Sequence, residues 1–269
     1  MTSQATPPQI AFNNPIWLVQ AQRQQALRAV TFPVPALIWV MEGSKELWLG
    51  ERHCLAQVGQ SLLLPAGSEV NLRNLPAPAS GRYRALMLNF DRPLLERFAS
   101  LYPGEADGWQ AQDIELLLPP MLELQAALQR LADLAAPDAA ASWRQHYLLE
   151  VLLHLSSAGL GAALSAGRQH STGERVRTLV GLAPGHRWTA AELAERLACS
   201  EATLRRRLVA EGHSVRGLLD EIRLGSALNL LQTGRLPINA IAAAVGYESP
   251  SRFAARFRQR FGTAPSALR

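Results

Sequence analysis

Two short segments near the carboxyl end carry arginines at spacings that suit binding to a nucleic acid. Arg205 and Arg206 are adjacent in TLRRRL, and Arg252 and Arg256 are four residues apart in SRFAARF. A guanidinium group can donate paired hydrogen bonds to a guanine edge or to a phosphate. On exposed helix faces these side chains would therefore contact the major groove of DNA.

The first arginine pair falls within residues 189–211, which predict two short helices. Apolar residues recur there at helical spacing on both sides of a break at Cys199 and Ser200. Thr189 is predicted to be the N-cap of the first helix, with Glu192 as its capping-box partner, and Ser200 the N-cap of the second. Two short helices joined by a tight turn form a helix-turn-helix unit.

The same arrangement recurs at about residues 236–260. Gly246 supplies the turn, because glycine reaches left-handed conformations freely, and Pro250 falls in the first turn of the second helix. Phe253 and Phe257 are spaced by four and are predicted to be core residues. The sequence therefore predicts a second helix-turn-helix unit.

Residues 214–234 between the two units have the periodicity of one continuous helix. Roughly 18 helical residues would span about 27 Å. Successive major-groove faces on one side of DNA are about 34 Å apart. A stiff connector of this length could hold two reading helices about one turn of DNA apart.

The amino-terminal half has a different pattern, with short apolar runs separated by glycine and proline from about Ile16 to Phe90. Runs of strand length occupy residues 36–42, 46–50, 61–65 and 83–90. Close spacing of short strands predicts an antiparallel sandwich or barrel. A helix is excluded by the density of Gly and Pro.

Two Leu- and Ala-rich segments, residues 113–135 and 138–158, are predicted to be helices, with Pro119 and Pro120 at the start of the first. They could form a dimer interface, or they could only cover the β-domain. The Gly-rich residues after them predict a linker at 161–173, between domains at 11–160 and 174–269.

Charge is distributed unevenly along the chain. Residues 1–171 hold 12 Lys and Arg against 14 Asp and Glu, whereas residues 172–269 hold 15 against 8. A basic carboxyl-terminal half fits a polyanion-binding domain. The alternative explanation is genomic composition, since the chain uses Arg almost exclusively and Lys45 is its only lysine. The start of the chain lacks a signal-peptide pattern and no long apolar run occurs, so we expect a cytoplasmic protein without membrane spans.

The carboxyl-terminal residues resemble the DNA-binding domain of the AraC/XylS family of bacterial transcription regulators. Three stretches carry the likeness: GHSVRGLLDEIRLGSALNLL (212–231), INAIAAAVGY (238–247), and FAARF with FGTAPSALR (253–257 and 261–269). TLRRRL, LLQTG and VGYESPSRF are most similar to a subgroup that includes acid-resistance and virulence activators. In the other half, Gly43 and GQSLLLPAG (59–67) resemble the family's sensory domain.

The resemblance implies an α+β protein. Its N-terminal part would be a cupin-like antiparallel β-barrel with dimerisation helices, followed by an all-α domain of two helix-turn-helix units joined by a linker helix. It also implies a non-enzymatic regulator, an activator in the family's commoner mode, acting on double-stranded promoter DNA with RNA polymerase. It would be a homodimer through 113–158, associated with the nucleoid when bound. A small-molecule effector or a partner protein would control it, with no cofactor.

The family's DNA-contacting positions can be carried over to the two second helices. They fall on Ala202, Thr203, Arg205 and Arg206, and on Pro250, Ser251, Arg252, Ala254, Ala255 and Arg256. The second unit departs from the family pattern, because many members have Arg where this chain has Ala255. Arg256 lies one position later, a rotation of about 100°, and is expected to face the DNA backbone. The first unit is therefore expected to supply most base discrimination.

Other residues carry alternatives that the sequence leaves open. Trp39, Met41, Trp48 and Phe90 could line an effector cavity or be ordinary core residues. His146, Glu150 and His154 could hold a metal on one helix face, but we favour a polar face and predict no metal and no catalytic site. A cupin-like enzyme or metal sensor with DNA binding as an accessory, suggested by His53, is the alternative function. Cys199 is expected to be a turn residue rather than a redox switch.

Overall fold

The computed structural model describes residues 14–107, 115–134, 141–165, 171–234 and 236–269. Its amino-terminal part is built of antiparallel strands, which alternate inward apolar and outward polar side chains where one face meets water. The strands are β1 Ile16–Ala21, β2 Gln25–Phe32, β3 Ala36–Glu42, β4 Ser44–Leu49, β5 Arg52–Ala56, β6 Ser61–Leu64, β7 Ser68–Leu75, β8 Tyr83–Asn89 and β9 Leu117–Leu118. The predicted strands at 36–42, 46–50, 61–65 and 83–90 are confirmed as β3, β4, β6 and β8.

Two sheets face each other across the first core. One has the order β1-β8-β3-β6-β9 and the other β2-β7-β4-β5. In β7 every second residue is buried, from Ser68 to Asn74, so one face points into the barrel and the other to solvent. In β3 the residues from Ala36 to Val40 are all buried, which requires cover on both faces of its sheet. The expected cupin-like antiparallel architecture is confirmed.

Helices cover the outer face of the β1-β8-β3-β6-β9 sheet. The helices of this half are α1 Arg92–Leu101, α2 Pro103–Asp107, α3 Leu122–Asp133, α4 Ala141–Ser157 and α5 Ala162–Ser165. A second core forms where Leu37, Leu63 and Leu88 of the sheet meet Leu128 and Leu152 of α3 and α4. This layer explains why β3 is apolar on both faces.

The helix predicted over 113–135 is wrong at its start. Residues 117–118 pair with β6 as a strand, and α3 begins only at Leu122, after Met121 as its N-cap. Pro119 and Pro120 therefore precede the helix, because the strand pairing of Leu117 and Leu118 leaves them in the connection. Residues 113–114 and 135–140, at the ends of the predicted helices, lie outside the described parts of the chain. Helices α1 and α2 were not predicted from the sequence.

The carboxyl-terminal half is helical. Its helices are α6 Thr172–Leu182, α7 Ala190–Arg196, α8 Glu201–Ala210, α9 Val215–Thr233, α10 Ile238–Ala244 and α11 Pro250–Phe261, followed by a 3-10 turn at Pro265–Leu268. A capping box at Ser171 and Glu174 starts α6, within the predicted linker, which also contains α5. Residues 166–170 lie outside the described chain, so the domain boundaries stay a prediction. None of the described helices is both long and apolar enough to cross a bilayer.

The helical half contains two separate cores. Val176, Leu193, Leu204 and Leu218 belong to the core of the first unit, which uses the first turn of α9. The later part of α9, together with α10 and α11, shares one continuous core with the interior of the barrel. The second helix-turn-helix unit is therefore packed against the barrel, and the first unit has a core of its own.

Polar contacts hold α11 on the barrel. Arg260 donates to Thr31 Oγ1 at 2.7 Å and to Glu69 Oε2 at 2.8 Å. Gln25 donates from Nε2 to the carbonyl oxygen of Leu268 at 3.1 Å. These contacts join strands β2 and β7 to the carboxyl-terminal end of α11 and the turn after it.

Candidate nucleic-acid interface

Helices α7 and α8 form the first predicted unit. Thr189 caps α7 by accepting from the Glu192 backbone N–H at 3.1 Å, and Ser200 caps α8 by accepting from the Thr203 N–H at 3.2 Å. Both predicted N-caps are confirmed. The Glu192 carboxylate, however, lies 2.9 Å from His186 Nε2. The second hydrogen bond of the predicted capping box, from the Thr189 backbone N–H to the Glu192 carboxylate, is therefore replaced by this contact with His186. The turn between the helices places Ala198 at a φ of 53°.

Helix α8 presents a polar and basic face to solvent. Leu204 and Leu208 are fully buried and fix the inward side. Ala202, Arg205 and Arg206 are exposed and Thr203 is half-buried. Arg206 follows the buried Leu204 by two residues, a rotation of about 200°, so it projects away from the core.

The two arginines of this face differ in their contacts. Arg205 pairs with Glu201 at 2.6 Å one turn earlier, on a side chain that is 62% exposed. Such exposed pairs are worth little, so the guanidinium is readily released to another acceptor. Among the described residues, Arg206 has no ion pair or side-chain hydrogen bond. Val209 on the same helix was not predicted from the sequence as a surface residue, yet its apolar side chain is 71% exposed.

Helices α10 and α11 form the second predicted unit. Gly246 has a φ of 86° at the turn, where a glycine is favoured. Ser249 caps α11 by accepting from the Arg252 N–H at 3.3 Å, and Pro250 occupies the first turn. Phe253 and Phe257 are fully buried, as predicted. The exposed residues at the start of α11 are Pro250, Ser251, Arg252 and Ala255, and Ala254 is half-buried.

Arg256 differs from the other predicted contact residues of α11. It is half-buried, forms an ion pair with Asp220 on α9, and donates to Gln259 Oε1 at 2.9 Å. The hydrogen bond that it donates to Asp220 raises the pKa of the Arg256 guanidinium above its ordinary value. Because Arg256 lies one residue after the position of the family's arginine, its side chain points towards α9. Its ion pair with Asp220 links α11 to this connecting helix.

The two units are joined by more than the connector helix. Helix α9 has 19 residues, which is about 28 Å. Arg223 on α9 donates to the carbonyl oxygens of Pro184 and His186, each at 3.0 Å, in the loop before α7. In the same loop Gly185 lies against the backbone of Ala244, closer than a Cβ would allow. This loop therefore braces the first unit against α10.

Comparison with known proteins agrees with this geometry. Residues 14–163 match the model of the AraC-type transcriptional regulator N-terminus, and residues 193–269 match a helix-turn-helix domain model. The first of these matches covers more than half of the chain. The chain belongs to the AraC family.

Curated relatives of this AraC-family protein match mainly its DNA-binding part. It is 36% identical over 92 residues to the HTH-type transcriptional regulator GadX of Escherichia coli, covering 34% of each chain. It is 29% identical over 124 residues to the virulence regulon transcriptional activator VirF of Shigella flexneri, covering 45% of this chain and 47% of VirF. The matches span only about a third to a half of these relatives. They confirm the predicted likeness to a subgroup that includes a virulence activator.

A solved structure supports the fold over nearly the whole AraC-family chain. ToxT of Vibrio cholerae with an unsaturated fatty acid bound superposes with a TM-score of 0.65, at 17% identity, over 94% of each chain. At this identity the likeness concerns the fold alone. The family consists of DNA-binding transcription regulators, not enzymes, as predicted.

Three of the four predicted effector residues of this AraC-family protein share one core outside the barrel, and the fourth, Trp48, lies elsewhere. Trp39 and Phe90 are buried in the core between the outer face of the β3 sheet and the helices, and Met41 packs against that core. Trp48 lies on the outer face of the other sheet. It lines a groove of about 400 Å³ beside the end of α11, with Arg28 and Arg73. Their role as effector contacts stays a prediction.

The sequence missed a buried polar group inside the barrel. Lys45, Asn74 and Gln25 are at most 4% exposed and lie side by side on β4, β7 and β2. Lys45 donates to Asn74 Oδ1 at 2.6 Å, and Asn74 donates to Gln25 Oε1 at 3.0 Å. Burial lowers the pKa of Lys45 to about 7. A lysine within an apolar strand of an otherwise lysine-free chain was the available signal.

The candidate metal ligands of this AraC-family protein lie in other contacts. Glu150 pairs with Arg130 and lies 3.9 Å from His154 Nε2, while His146 packs edge-on against Trp143. His53 stacks on Trp48 with ring centroids 4.8 Å apart. Within the described ranges no group of three or more His, Cys, Asp or Glu is arranged to hold a metal ion. Cys199 is half-buried against the first-unit core.

Proposed function

We propose that this AraC-family regulator binds specific promoter sequences by placing α8 and α11 in adjacent major grooves on one side of the DNA, and that it acts as an activator. The single observation that carries the proposal is the pair of capped helices, each with an exposed reading face, at the two ends of a braced connector. The length of α9, about 28 Å, approaches the groove spacing of about 34 Å.

The first unit is proposed to supply most of the base discrimination. Its outward residue Arg206 is exposed and unpaired among the described residues, and Ala202 beside it leaves room for close approach. In the second unit, Arg256 is occupied by Asp220. That leaves Arg252 as the charged side chain at the start of α11, next to small residues that suit phosphates or thymine methyl groups.

Replacing Arg206 with Ala tests this division. If Arg206 reads a base, Arg206→Ala should weaken binding to the preferred site by about 1–3 kcal/mol and relax the base preference at one position. Binding should be measured by fluorescence anisotropy on a selected site, on each single-base variant of that site and on random duplex, at two salt concentrations.

Arg97→Ala is the matched control, because Arg97 is an exposed arginine on α1, outside the helical half. It should leave affinity and base preference unchanged. An equal loss for Arg206→Ala on every duplex, with a lower salt slope, would mark a phosphate contact instead. Failure of the unaltered protein to prefer any sequence over random duplex would refute the proposal as a whole.

The amino-terminal domain is proposed to receive the signal and to form a homodimer through the helices of 113–158. ToxT, which shares the fold, has been solved with a fatty acid bound, which supports a small-molecule effector for this domain. Two large apolar side chains on α3 and α4, Leu122 and Trp143, are 77% and 54% exposed and suit a second copy. The regulator would then act with RNA polymerase at promoters in the bacterial cytoplasm.

A further inference from the structure

The connector helix α9 passes from one hydrophobic core to the other near its middle. Leu218 belongs to the core of the first unit, and Ile222 packs against that core from the same helix. Leu224, only two residues after Ile222, already belongs to the core that the second unit shares with the barrel. Among the described residues no single apolar core includes both units, so the burial of apolar surface does not fix the angle between them.

A glycine follows directly at this crossover. Gly225 lies in the interior of α9, and a Cβ built on it would meet no neighbouring atom of the described residues within 4 Å. Packing therefore does not require a glycine at this position. A glycine inside a helix makes the helix less stable than an alanine would, because its backbone is freer. The middle of α9 is thus a weak point at which the connector can bend.

Beside this weak point, one side chain links α9 to the loop that precedes α7. The half-buried Arg223 donates from Nε to the carbonyl oxygen of Pro184 and from Nη2 to that of His186, each at 3.0 Å. A guanidinium group presents its donors in a rigid planar fork. Two hydrogen bonds from one rigid group therefore fix both the position and the direction of the loop relative to α9.

The loop itself is attached to the first unit. His186 Nε2 lies 2.9 Å from a carboxylate oxygen of Glu192 on α7. The guanidinium carbon of Arg196, the last residue of α7, lies 5.6 Å from the ring centroid of Trp188 in the loop. Because the loop is held on α7, the hydrogen bonds that it accepts from α9 also position the reading helix α8.

The same arginine also contacts the turn of the second unit. A Cβ built on Gly246 would lie 3.3 Å from Nε and Cζ of Arg223 and 3.2 Å from the carbonyl oxygen of Gly185. Gly185 lies so close to α10 that its own Cβ would be 2.4 Å from the carbonyl oxygen of Ala244. The guanidinium is therefore held between the loop of the first unit and the turn of the second. Arg223, residues 184–186 and Gly246 together form a brace between the two units.

We propose that this brace sets the spacing between the two half-sites that the regulator accepts, with Arg223 as the positioning residue. The half-sites are the stretches of base pairs that α8 and α11 contact. One base pair added between them moves the second by about 3.4 Å along the DNA and rotates it by about 34°. The braced units do not follow this change, whereas without the two hydrogen bonds of Arg223 α9 bends near Gly225 and the reading helices adjust.

The inference deepens the proposed function and rests on it, because it requires that α8 and α11 both enter the DNA. It adds a selection that no base contact supplies. The bases within each half-site are read by the exposed faces of α8 and α11, whereas the number of base pairs between the half-sites is limited by the stiffness of the brace.

The test measures half-site spacing with the full chain. A site that wild type selects from random duplex is divided into its half-sites by single-base substitution. Fluorescence anisotropy then gives the dissociation constants for this site and for versions with one base pair inserted or removed between the half-sites. Their ratio is the spacing penalty, in which any inactive fraction of a variant cancels. Wild type should bind the altered spacings at least about tenfold more weakly, because one half-site loses its base contacts.

Arg223→Met should reduce the spacing penalty by about tenfold, because two charge-assisted hydrogen bonds no longer oppose the reorientation. The base preference within each half-site should stay as in wild type. Arg223→Lys keeps the charge but not the planar fork, so its penalty should lie between the two. Adding Gly225→Ala to Arg223→Met should restore part of the penalty, because alanine stabilises the helix at the bend. The matched control is Arg216→Met, which removes an exposed arginine from the first turn of α9 and should keep the wild-type penalty.

Four results would overturn the proposal. The spacing penalty of Arg223→Met could equal that of wild type, or its affinity could fall by one factor at every spacing, which marks a role in stability alone. Arg216→Met could reduce the penalty as much, which would assign the effect to net charge, or Gly225→Ala could restore nothing. A wild type that prefers one site but tolerates altered spacings would refute this inference alone, whereas a wild type that prefers no site over random duplex would refute the proposed function.

Discussion

Replacing Lys45 with Met should stabilise the protein at neutral pH. Burial lowers the pKa of Lys45 from 10.5 to about 7. At 1.36 kcal/mol per pKa unit, the buried charge destabilises the fold by about 4–5 kcal/mol when both states are protonated. Methionine is similar in length, is uncharged and fills irregular core space, so it removes this cost without leaving a large cavity.

A second effect opposes the first. Lys45→Met removes the hydrogen bond to Asn74 Oδ1, and Asn74 is fully buried. A buried acceptor without a partner costs about 1–3 kcal/mol. With a charge cost of about 4 kcal/mol at pH 7, the variant should be more stable than wild type by about 1–3 kcal/mol.

The pH dependence isolates the charge from the hydrogen bond. Because the folded pKa is lower than the unfolded value, the unfolded chain holds the extra proton between pH 7 and 10.5. The free energy of unfolding of wild type therefore rises with pH through that window. By pH 9 the charge cost falls to about 2 kcal/mol, whereas the loss at Asn74 does not change. The advantage of Lys45→Met should thus shrink by about 2 kcal/mol between pH 7 and 9.

Urea unfolding of both proteins at pH 7, 8 and 9 measures this difference. Each comparison is made between variant and wild type at one pH, so that other titrating groups cancel. A difference between the two proteins that stays constant from pH 7 to 9 would refute the assignment of Lys45 as a buried, uncompensated amine.

Two further predictions concern the assembly of the reading helices and of the dimer. Gly185→Ala should cost about 1–3 kcal/mol of stability, because its Cβ would lie closer than 3.0 Å to the Ala244 carbonyl oxygen. Thermal unfolding measures this loss. The control is Gly181→Ala on α6, where the added Cβ meets open space, and it should be neutral or stabilising. Trp143→Arg should weaken self-association by at least about tenfold in sedimentation equilibrium, because the dimer would bury an unpaired charge. Leu182→Arg is the control, because it alters an apolar side chain that is 55% exposed on α6, and it should leave self-association unchanged. Equal association constants for the two variants would exclude the surface around Trp143 as the interface.

Local signals in the sequence were sufficient to predict the two helix-turn-helix units. The N-cap residues Thr189 and Ser200, the turn glycine Gly246 and the helical spacing of Phe253 and Phe257 act within a few residues of each other. Strands β3, β4, β6 and β8 were predicted for the same reason, whereas the other described strands were not placed from the sequence. The error at residues 113–121 arose where a tertiary partner overrode local preference, because pairing with β6 makes Leu117 and Leu118 a strand.

The sequence by itself determined the family, the α+β class and the two helix-turn-helix units, because these depend on periodicity and capping over short stretches. Only the tertiary structure decided that α11 rests on the barrel, through Arg260 and Glu69, which are 191 residues apart in the chain. Only the tertiary structure showed that Arg256 turns to Asp220 and that Lys45 lies buried beside Tyr83. Each of these facts depends on contacts between residues distant in sequence, which spacing along the chain does not encode.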